Sequence, residues 1–446
     1  MNTSSPNGIL CFTNCLLLQE DGTFRKKDLW VDQVTGRILD PQDTFFVRTE
    51  RPGEVIDLQG SILSPGLIDI QINGAYGFDF SSQDHDDEAY MEGLKMVSSK
   101  IVETGVTSLM PTVVTQDKAL YPKALQRLHP LPSRTSASLL GWHAEGPFLE
   151  MSKRGAHSPS WLATAPEGLR TFEAMYGTSN LASDPEWRNA RADTDAVGGR
   201  IITLAPEVEG VMGAVEELAG KGIVVSIGHS TAISAVAVEA AKRGATLITH
   251  LFNAMPQLHH RDPAIIGLLG APAYLNRPPA IEASSASPSS ASKGQFKRPF
   301  YSIIADGVHL HPYSVKMAYS TFPEGCILIT DALHILDPHL KDGVHEWHHG
   351  KRLFKEGDKL YVDGTTTLAG TCVPLDKCVR NLASFTEISL GEALKCASFN
   401  PAKCLNIEGR KGTLRPGADA DLVVLDNDGV PQSTWIKGKR VWTRSV

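Results

Sequence analysis

The sequence has 446 residues, of which 42% are hydrophobic and 21% are charged, a composition typical of a globular protein rather than a disordered one. Its 43 Lys and Arg residues and 50 Asp and Glu residues give a net charge of −7, so no broad basic surface for nucleic acid or an anionic membrane is expected. Because no run of 18 apolar residues occurs, we expect no membrane-spanning segment and no membrane partner.

The N-terminus and the cysteines both bear on the compartment of the protein. The first residues lack a basic stretch followed by a long apolar core, so they do not have the pattern of a secretory signal. The seven cysteines are an odd number and form no CxxC pair, a usage typical of reduced thiols. We therefore expect a cytoplasmic protein.

The two ends of the chain share a β-rich pattern. Over the first ~60 residues, apolar and polar residues alternate between Asp-Gly and Thr-Gly turns, as in LWVDQVTGRILD. The tail from Gly412 has the same character in GTLRPGADADLVVLDNDG. Because both ends differ from the middle, they predict one small β-sandwich domain made of residues 1–63 and 409–446.

The middle of the chain alternates short apolar runs with Ala-rich helical stretches. The runs typical of buried strands are 66–73, 106–114, 138–146, 201–207, 223–230, 246–253, 301–309 and 326–332. Eight strands with helical crossovers predict the α/β class, as a (β/α)8 TIM-like barrel over residues 64–408. No GxGxxG motif follows an early strand, which removes the signal for a dinucleotide. The Ser-, Ala- and Pro-rich residues 281–299 predict a flexible insertion before the seventh strand.

Nearly every predicted strand ends in side chains that can bind a metal or move a proton. These are Asp69, Gln71, Asn73, His143, Glu145, Glu207, His229, His250, Asn253, Asp306, His309 and Asp331. In a barrel such side chains meet at the carboxyl ends of the strands, where active sites are built. Burying so many polar groups without partners would be costly, so the set indicates one shared site.

Three of these residues have the chemistry of a metal site. His229 and His250 end successive strands, so neighbouring strands would aim both imidazoles into one space. With Glu145 they form a set of two histidines and one carboxylate, which suits a catalytic zinc with an open water position. Asp331, from the last strand, is left as a carboxylate near that water. A single histidine at a strand end is more often a hydrogen-bonded core residue, and it is the constellation that predicts a metal.

The same residues lie in strings that resemble one family. In chain order the strings are DIQINGAYG (69–77), HAEGPF (143–148), KRGAH (153–157), IGHSTA (227–232), THLFNAM (249–255), IADGVH (304–309), TDA (330–332) and LAGT (368–371). They are similar to those of the N-acetylglucosamine-6-phosphate deacetylases, which are metal-dependent barrels of the amidohydrolase superfamily. The resemblance implies hydrolysis of N-acetyl-D-glucosamine 6-phosphate to D-glucosamine 6-phosphate and acetate in amino-sugar catabolism.

The resemblance also implies roles for individual residues. Glu145, His229 and His250 match the metal ligands, and Asp331 matches the general base and acid. His157 matches a histidine that contacts the carbonyl region of the substrate. The implied substrate-binding residues are Gln71, His157, Asn253, Ala254, His260, Arg261, His309 and Ala369.

The family is typically homodimeric, so the resemblance implies that His260 and Arg261 reach the phosphate in the neighbouring subunit's site. An arginine suits a phosphate because its guanidinium donates two parallel charged hydrogen bonds. From the residues alone, the string LHHRDP (258–263) is equally typical of a solvated basic loop.

The end of the first strand departs from the wider superfamily. Many amidohydrolases carry His-x-His there for a second metal, whereas Gln71 and Asn73 are amides and poor metal ligands. We therefore expect one divalent ion per subunit, with zinc as the expected metal. Two alternatives stay open, namely another amidohydrolase such as a cyclic amidase, and a non-catalytic amidohydrolase-like scaffold. The missing histidines argue against the first, and the complete set of ligands and acid/base argues against the second.

Overall fold

The computed structural model describes residues 7–82, 86–183, 196–271, 296–346 and 352–445. Residues 281–295 of the expected flexible insertion at 281–299 therefore lie outside the described residues. None of the helices in the described ranges has the length and apolar character needed to cross a lipid bilayer.

Short strands make up the N-terminal part of the chain. They are β1 (Ile9–Thr13), β2 (Leu16–Leu18), β3 (Phe24–Lys26), β4 (Leu29–Asp32), β5 (Arg37–Leu39), β6 (Glu54–Asp57) and β7 (Ile62–Pro65). Four of them form a sheet in the order β5–β4–β1–β6. Along β4, buried and half-buried residues alternate because one face of the strand packs against a core.

Eight parallel strands follow one another around a barrel, which confirms the predicted fold. The barrel strands are β8 (Leu67–Ile72), β11 (Val106–Val114), β13 (Gly141–Glu145), β14 (Gly199–Leu204), β15 (Val224–Ile227), β16 (Ala245–Ile248), β17 (Phe300–Ile303) and β18 (Cys326–Leu328). Three short strands accompany them, β9 (Gly74–Ala75), β10 (Phe78–Asp79) and β12 (Ser138–Leu139). Between β8 and the residues that follow β18, the hydroxyl of Thr330 donates to Asp69 Oδ2 at 2.6 Å and the N–H of Asp331 donates to the carbonyl of Gln71 at 2.9 Å. These contacts nearly close the barrel.

Helices surround the barrel and cover one of its ends. They are α1 (Asp87–Lys100), α2 (Tyr121–Arg127), α3 (Leu169–Tyr176), α4 (Val211–Gly220), α5 (Ser234–Lys242), α6 (Pro312–Thr321), α7 (Leu375–Thr386), α8 (Leu390–Lys395) and α9 (Phe399–Cys404). Along β14, Ile202 packs in the core shared with the helices, whereas Ile201 packs in a second core together with Leu405, just beyond α9. Alternate residues of the strand therefore face the helices and the barrel interior.

A small sheet that the sequence analysis did not predict lies between β18 and α7. Its antiparallel strands are β19 (Gly343–Glu346), β20 (Arg352–Glu356) and β21 (Lys359–Val362). Leu353 and Leu360 from this sheet pack against Ile335 and Cys372 in a separate small core. Most of the other strand residues are charged or exposed, so their sequence lacks the apolar run by which the barrel strands were recognised.

The C-terminal strands complete a second sheet that also contains N-terminal strands. These are β22 (Leu422–Leu425), β23 (Pro431–Ile436) and β24 (Lys439–Thr443), in the sheet order β24–β23–β22–β7–β2–β3. Phe12 of β1 meets Trp435 of β23 edge to face, with ring centroids 4.9 Å apart. Both belong to one buried cluster, so the two ends of the chain share a core. Its division from the barrel at residues 63 and 409 stays a prediction.

A buried charge cluster also connects the two ends of the chain. The carboxylate of Asp419 lies 2.7 Å from Arg37, 2.8 Å from Arg410, 3.1 Å from Lys411 and 2.9 Å from Lys437. Burial alone would raise the pKa of Asp419, but the charges of Lys411, Lys437 and Arg410 lower it well below its usual value. The aspartate therefore stays ionised and neutralises cations that have little access to water.

Replacing Asp419 by Asn should destabilise the protein by about 3–5 kcal/mol, because it leaves buried cations without their anion. Urea unfolding followed by circular dichroism measures this loss. Since the pKa of Asp419 is lowered in the folded state, its contribution is present above the unfolded pKa and is lost as the pH falls through the folded pKa. The matched control is Asp428→Asn, at an exposed aspartate near β22. Equal unfolding midpoints for the two variants would contradict the expectation.

Candidate metal centre and active site

The predicted metal ligands meet at the carboxyl ends of β13, β15 and β16. Glu145 Oε1 lies 3.1 Å from His229 Nε2 and 3.0 Å from His250 Nε2, and the two Nε2 atoms are 3.0 Å apart. All three side chains are buried. Among the described residues, these three side chains form a group whose ligand atoms all lie within 4.8 Å of one another, close enough to bind one ion.

The hydrogen bonds of His229 show that this donor set fits a cation. Its Nδ1 lies 2.8 Å from the carbonyl oxygen of Lys153, and a carbonyl can only accept, so Nδ1 carries the proton. In the neutral ring, Nε2 then directs a lone pair at the carboxylate of Glu145 and at His250. Burial alone would raise the pKa of Glu145, but a proton on a histidine Nε2, where one is present without a metal, would donate to the carboxylate and lower that pKa well below its usual value. Electron-rich atoms at this spacing are stabilised by a divalent metal between them.

The backbone at the site lies in an uncommon conformation. The φ angles of His229, His250 and Asp331 are 49°, 29° and 49°, in the left-handed region that residues other than glycine rarely adopt. Each such residue costs of order 1–3 kcal/mol and persists where its surroundings hold it, often at functional sites. A left-handed residue cannot continue a strand. The strands β15, β16 and β18 therefore end before His229, His250 and Asp331, whereas the predicted runs included these residues.

Asp331 lies beside the metal ligands and is held by two amides. Asn73 Nδ2 donates to Asp331 Oδ1 at 2.9 Å, and Gln71 Nε2 lies 3.3 Å from both Asp331 Oδ1 and Glu145 Oε1. Gln71, expected to bind substrate, thus bridges a candidate ligand and the candidate base. Burial, with the nearby charge of Glu145, raises the pKa of Asp331 to about 6. At neutral pH the carboxylate is mostly ionised and can accept a proton.

A network of hydroxyl groups that the sequence analysis missed lies among the same strands. His143 Nε2 is 2.7 Å from Thr203 Oγ1, which is 2.6 Å from Thr249 Oγ1, which in turn is 2.5 Å from Ser226 Oγ. Burial lowers the pKa of His143 to about 4, so the ring is neutral. A Cβ at Gly228 would lie 2.8 Å from Thr203 and Thr249, so only glycine fits beside this network. The available signal was a Ser or Thr inside or directly after each of three apolar runs, namely Thr203, Ser226 and Thr249.

His157 can donate a hydrogen bond from its outer nitrogen. His157 Nδ1 lies 2.8 Å from the hydroxyl oxygen of Thr115, and the backbone N–H of Thr115 donates to the same nitrogen at 3.3 Å. In the tautomer in which Nδ1 accepts this bond, the ring proton is on Nε2. Burial and the neighbouring charge of His229 lower the pKa of His157 to about 3, so the ring is neutral at physiological pH. Its ring centroid is 4.6 Å from that of His229. A neutral donor therefore lies next to the candidate metal centre.

Of the other expected substrate-binding residues, Asn253, Ala254 and His309 lie on loops that follow barrel strands, and Ala369 follows β21 of the small sheet. Asn253 Nδ2 is buried and has no hydrogen-bond partner within the described ranges. The carbonyl of Ala254 accepts from the N–H of Ser230 at 3.2 Å. His309 Nδ1 lies 2.6 Å from Asp306 Oδ2. Ala369, half-buried, donates its N–H to Leu360 of β21 at 2.9 Å.

His260 and Arg261 are exposed. Within the described part of the chain, neither forms a hydrogen bond or an ion pair with the candidate metal ligands. Their loop is tied to the start of α5, because Asp262 accepts from the N–H of Ser234 at 3.0 Å. Asp262 also accepts from the N–H of Ala264 at 3.0 Å. The part expected of His260 and Arg261 in a neighbouring site stays a prediction.

Comparison with known proteins agrees with this arrangement. The family model described as the amidohydrolase family matches residues 62–441. N-acetylglucosamine-6-phosphate deacetylase of Bos taurus is 41% identical over 437 residues, which cover 97% of this chain and 96% of that protein. The enzyme of the same name from Homo sapiens is 40% identical over the same shares of the two chains.

Solved structures with a similar fold include proteins of the same name. The solved structure of N-acetylglucosamine-6-phosphate deacetylase from Thermotoga maritima superimposes with a TM-score of 0.72 at 24% identity, covering 97% of this chain and 100% of that one. Since both the family model and the full-length relatives match, the chain belongs to the amidohydrolase family, among its N-acetylglucosamine-6-phosphate deacetylases.

Proposed function

We propose that this protein hydrolyses the acetamide of N-acetyl-D-glucosamine 6-phosphate, releasing acetate and D-glucosamine 6-phosphate. The observation that carries the proposal is the meeting of Glu145, His229 and His250 with Asp331, in a chain 41% identical to a deacetylase of that name over almost its whole length. The comparisons give no support to a cyclic amidase or to a non-catalytic scaffold.

We infer that the resident ion is zinc, one per subunit, held by Glu145, His229 and His250. Two imidazoles and a carboxylate are ligands that zinc favours in catalytic sites, and the amides Gln71 and Asn73 offer nothing comparable for a second ion. When bound, such an ion lowers the pKa of a water molecule towards ~7 and polarises a carbonyl.

The residues of the chain then move the proton and stabilise charge. Asp331, ionised at neutral pH, accepts a proton from the attacking water and afterwards delivers it to the departing amine nitrogen. His157 donates from Nε2 to the oxyanion that develops on the acetyl oxygen. Asn73 and Gln71 both donate to Asp331 Oδ1, which holds the carboxylate in place and leaves Oδ2 to accept the proton.

Replacing His157 by Ala should lower kcat by about 10²-fold or more, because a donor to the oxyanion is lost, while KM changes little. Steady-state acetate release from the zinc-loaded protein measures both constants. His339→Ala, at an exposed histidine paired with Glu103, is the control and should leave kcat unchanged. A variant with unchanged kcat and raised KM would instead assign His157 to ground-state binding.

We further propose that the protein is a homodimer in which His260 and Arg261 bind the phosphate of the neighbouring subunit's substrate. Both lie exposed at one loop and have cationic or hydrogen-bonding groups free for an anion. Two large apolar side chains beside this loop, Ile233 and Leu258, are 53% and 54% exposed, as expected where a second subunit covers them.

Replacing Arg261 by Ala should raise KM for the phosphorylated sugar by about 10-fold or more, since a charged contact to phosphate is lost, with kcat less affected. Any hydrolysis of unphosphorylated N-acetylglucosamine should not change, because that sugar has no phosphate for Arg261 to bind. Lys242→Ala, on α5, is a control of equal charge. If the site is shared, mixing Asp331→Asn with Arg261→Ala subunits restores one intact site in a mixed dimer, so acetate release at substrate concentrations well below KM should rise above that of the unmixed variants. No gain of activity on mixing would contradict the shared site.

The deciding experiment is acetate release from N-acetyl-D-glucosamine 6-phosphate by the purified protein, with metal counted per chain. Turnover with about one ion per chain supports the proposal as a whole. No release from the metal-loaded protein would refute the substrate while leaving the family intact. A cytoplasmic location is also proposed, and the seven cysteines support it because all are buried and free.

A further inference from the structure

A further carboxylate near the metal centre, Glu207, is neither one of the candidate metal ligands nor the candidate base. Glu207 follows β14 and is half-buried, beside the turn that leaves β15 after His229. Its Oε1 accepts from the N–H of Thr231 at 2.5 Å and from the Thr231 hydroxyl at 3.1 Å. Its Oε2 accepts from the hydroxyl of Ser230 at 2.7 Å. Three donors from two successive residues thus converge on one side chain.

These contacts hold the turn that presents a metal ligand. His229 has a φ of 49°, a conformation that a histidine keeps only where its neighbours hold it. The ring is fixed on one side by Lys153 O, 2.8 Å from Nδ1. The backbone beyond the ring is fixed by Glu207 through Ser230 and Thr231, and also by the bond from Ser230 N–H to Ala254 O at 3.2 Å.

The contacts of Glu207 indicate that it positions a metal ligand and does not bind the metal itself. Both oxygens of Glu207 are engaged by the turn, and Glu207 is not in the cluster of Glu145, His229 and His250 whose atoms could share an ion. We propose that Glu207 is a positioning residue that sets the affinity for the metal by holding the His229 turn in its left-handed conformation. The proposal rests on the metal centre of the proposed function.

The test measures zinc affinity rather than turnover. The metal is removed from the wild type and from Glu207→Gln, Glu207→Ala and Ser230→Ala, and the Kd for Zn²⁺ is measured by competition with a chromophoric chelator. Glu207→Ala should bind zinc about 10- to 100-fold more weakly, as expected when the support of a ligand is lost. Ser230→Ala should show a smaller loss in the same direction, and zinc-saturated Glu207→Gln should regain a kcat close to that of the wild type.

The matched control is Glu209→Gln, at an exposed glutamate two residues along the same loop, whose Kd should equal that of the wild type. Should Glu207→Ala fail to fold, as judged by circular dichroism, the milder Glu207→Gln and Ser230→Ala decide. Wild-type affinity in both would overturn the role of Glu207. A wild-type chain that binds no zinc would overturn the metal centre as well, so the two failures are distinguishable.

Discussion

Asp331→Asn should retain its metal and lose about 10³-fold in kcat. The side chain has the same shape but can no longer accept a proton, and a positioned general base contributes on the order of 10²–10⁴ to the rate. Metal binding should persist because the atoms that converge on the ion belong to Glu145, His229 and His250. Acetate release at saturating substrate and metal analysis of the same sample measure the two quantities together.

The control for this variant is Asp337→Asn, six residues further along the chain, where the carboxylate accepts the N–H of His339 at 2.8 Å and lies outside the metal cluster. It should have wild-type kcat. Near-normal turnover in Asp331→Asn would refute its assignment as the base. Loss of metal in that variant would show instead that Asp331 contributes to the ion's binding.

Glu145→Gln should abolish both metal binding and turnover. The change removes the anion on which both imidazole Nε2 atoms converge at 3.0–3.1 Å and leaves a neutral amide in its place. Carboxylate and imidazole ligands bind zinc, whereas an amide is a poor ligand. We expect metal content to fall from about one ion per chain to near zero, and activity to fall below about 10⁻³ of the wild-type value.

Removal and return of the metal separate this effect from misfolding. Chelator-treated wild type should regain activity on addition of zinc, whereas Glu145→Gln should not regain it at the same concentration. Glu167→Gln, at an exposed glutamate, should behave as wild type in both steps. Full metal content in Glu145→Gln would show that the ion lies elsewhere, and the candidate centre would then be wrong.

The barrel was predictable from the sequence because its signals are local. Each strand is a short run of mostly apolar, buried residues, and each predicted run contains or overlaps one observed barrel strand. The sequence also places functional side chains at strand ends, where the fold requires them to meet. The boundaries were less accurate at β15, β16 and β18, because His229, His250 and Asp331 adopt left-handed conformations that no periodicity indicates.

The partners within the site were not predictable in this way. Gln71, expected to bind substrate, also reaches Asp331, 260 residues away in the chain. The chain after β18 lies beside β8, where the N–H of Asp331 donates to the carbonyl of Gln71 at 2.9 Å. Likewise, Glu207 reaches Ser230 and Thr231 because it follows β14, whose neighbour β15 precedes those two residues. The hydroxyl network of Thr203, Ser226 and Thr249 forms for the same reason.

The sequence alone therefore determined the type of fold and the chemical groups of the site. These follow from periodicity and from residue type, which act within a few positions along the chain. The tertiary structure decided which group holds which, namely the amides on Asp331, the carboxylate of Glu207 on the His229 turn, and the proton on His229 Nδ1. Hydrogen bonds act over about 3 Å, and only the folded chain brings residues so distant in sequence within that reach.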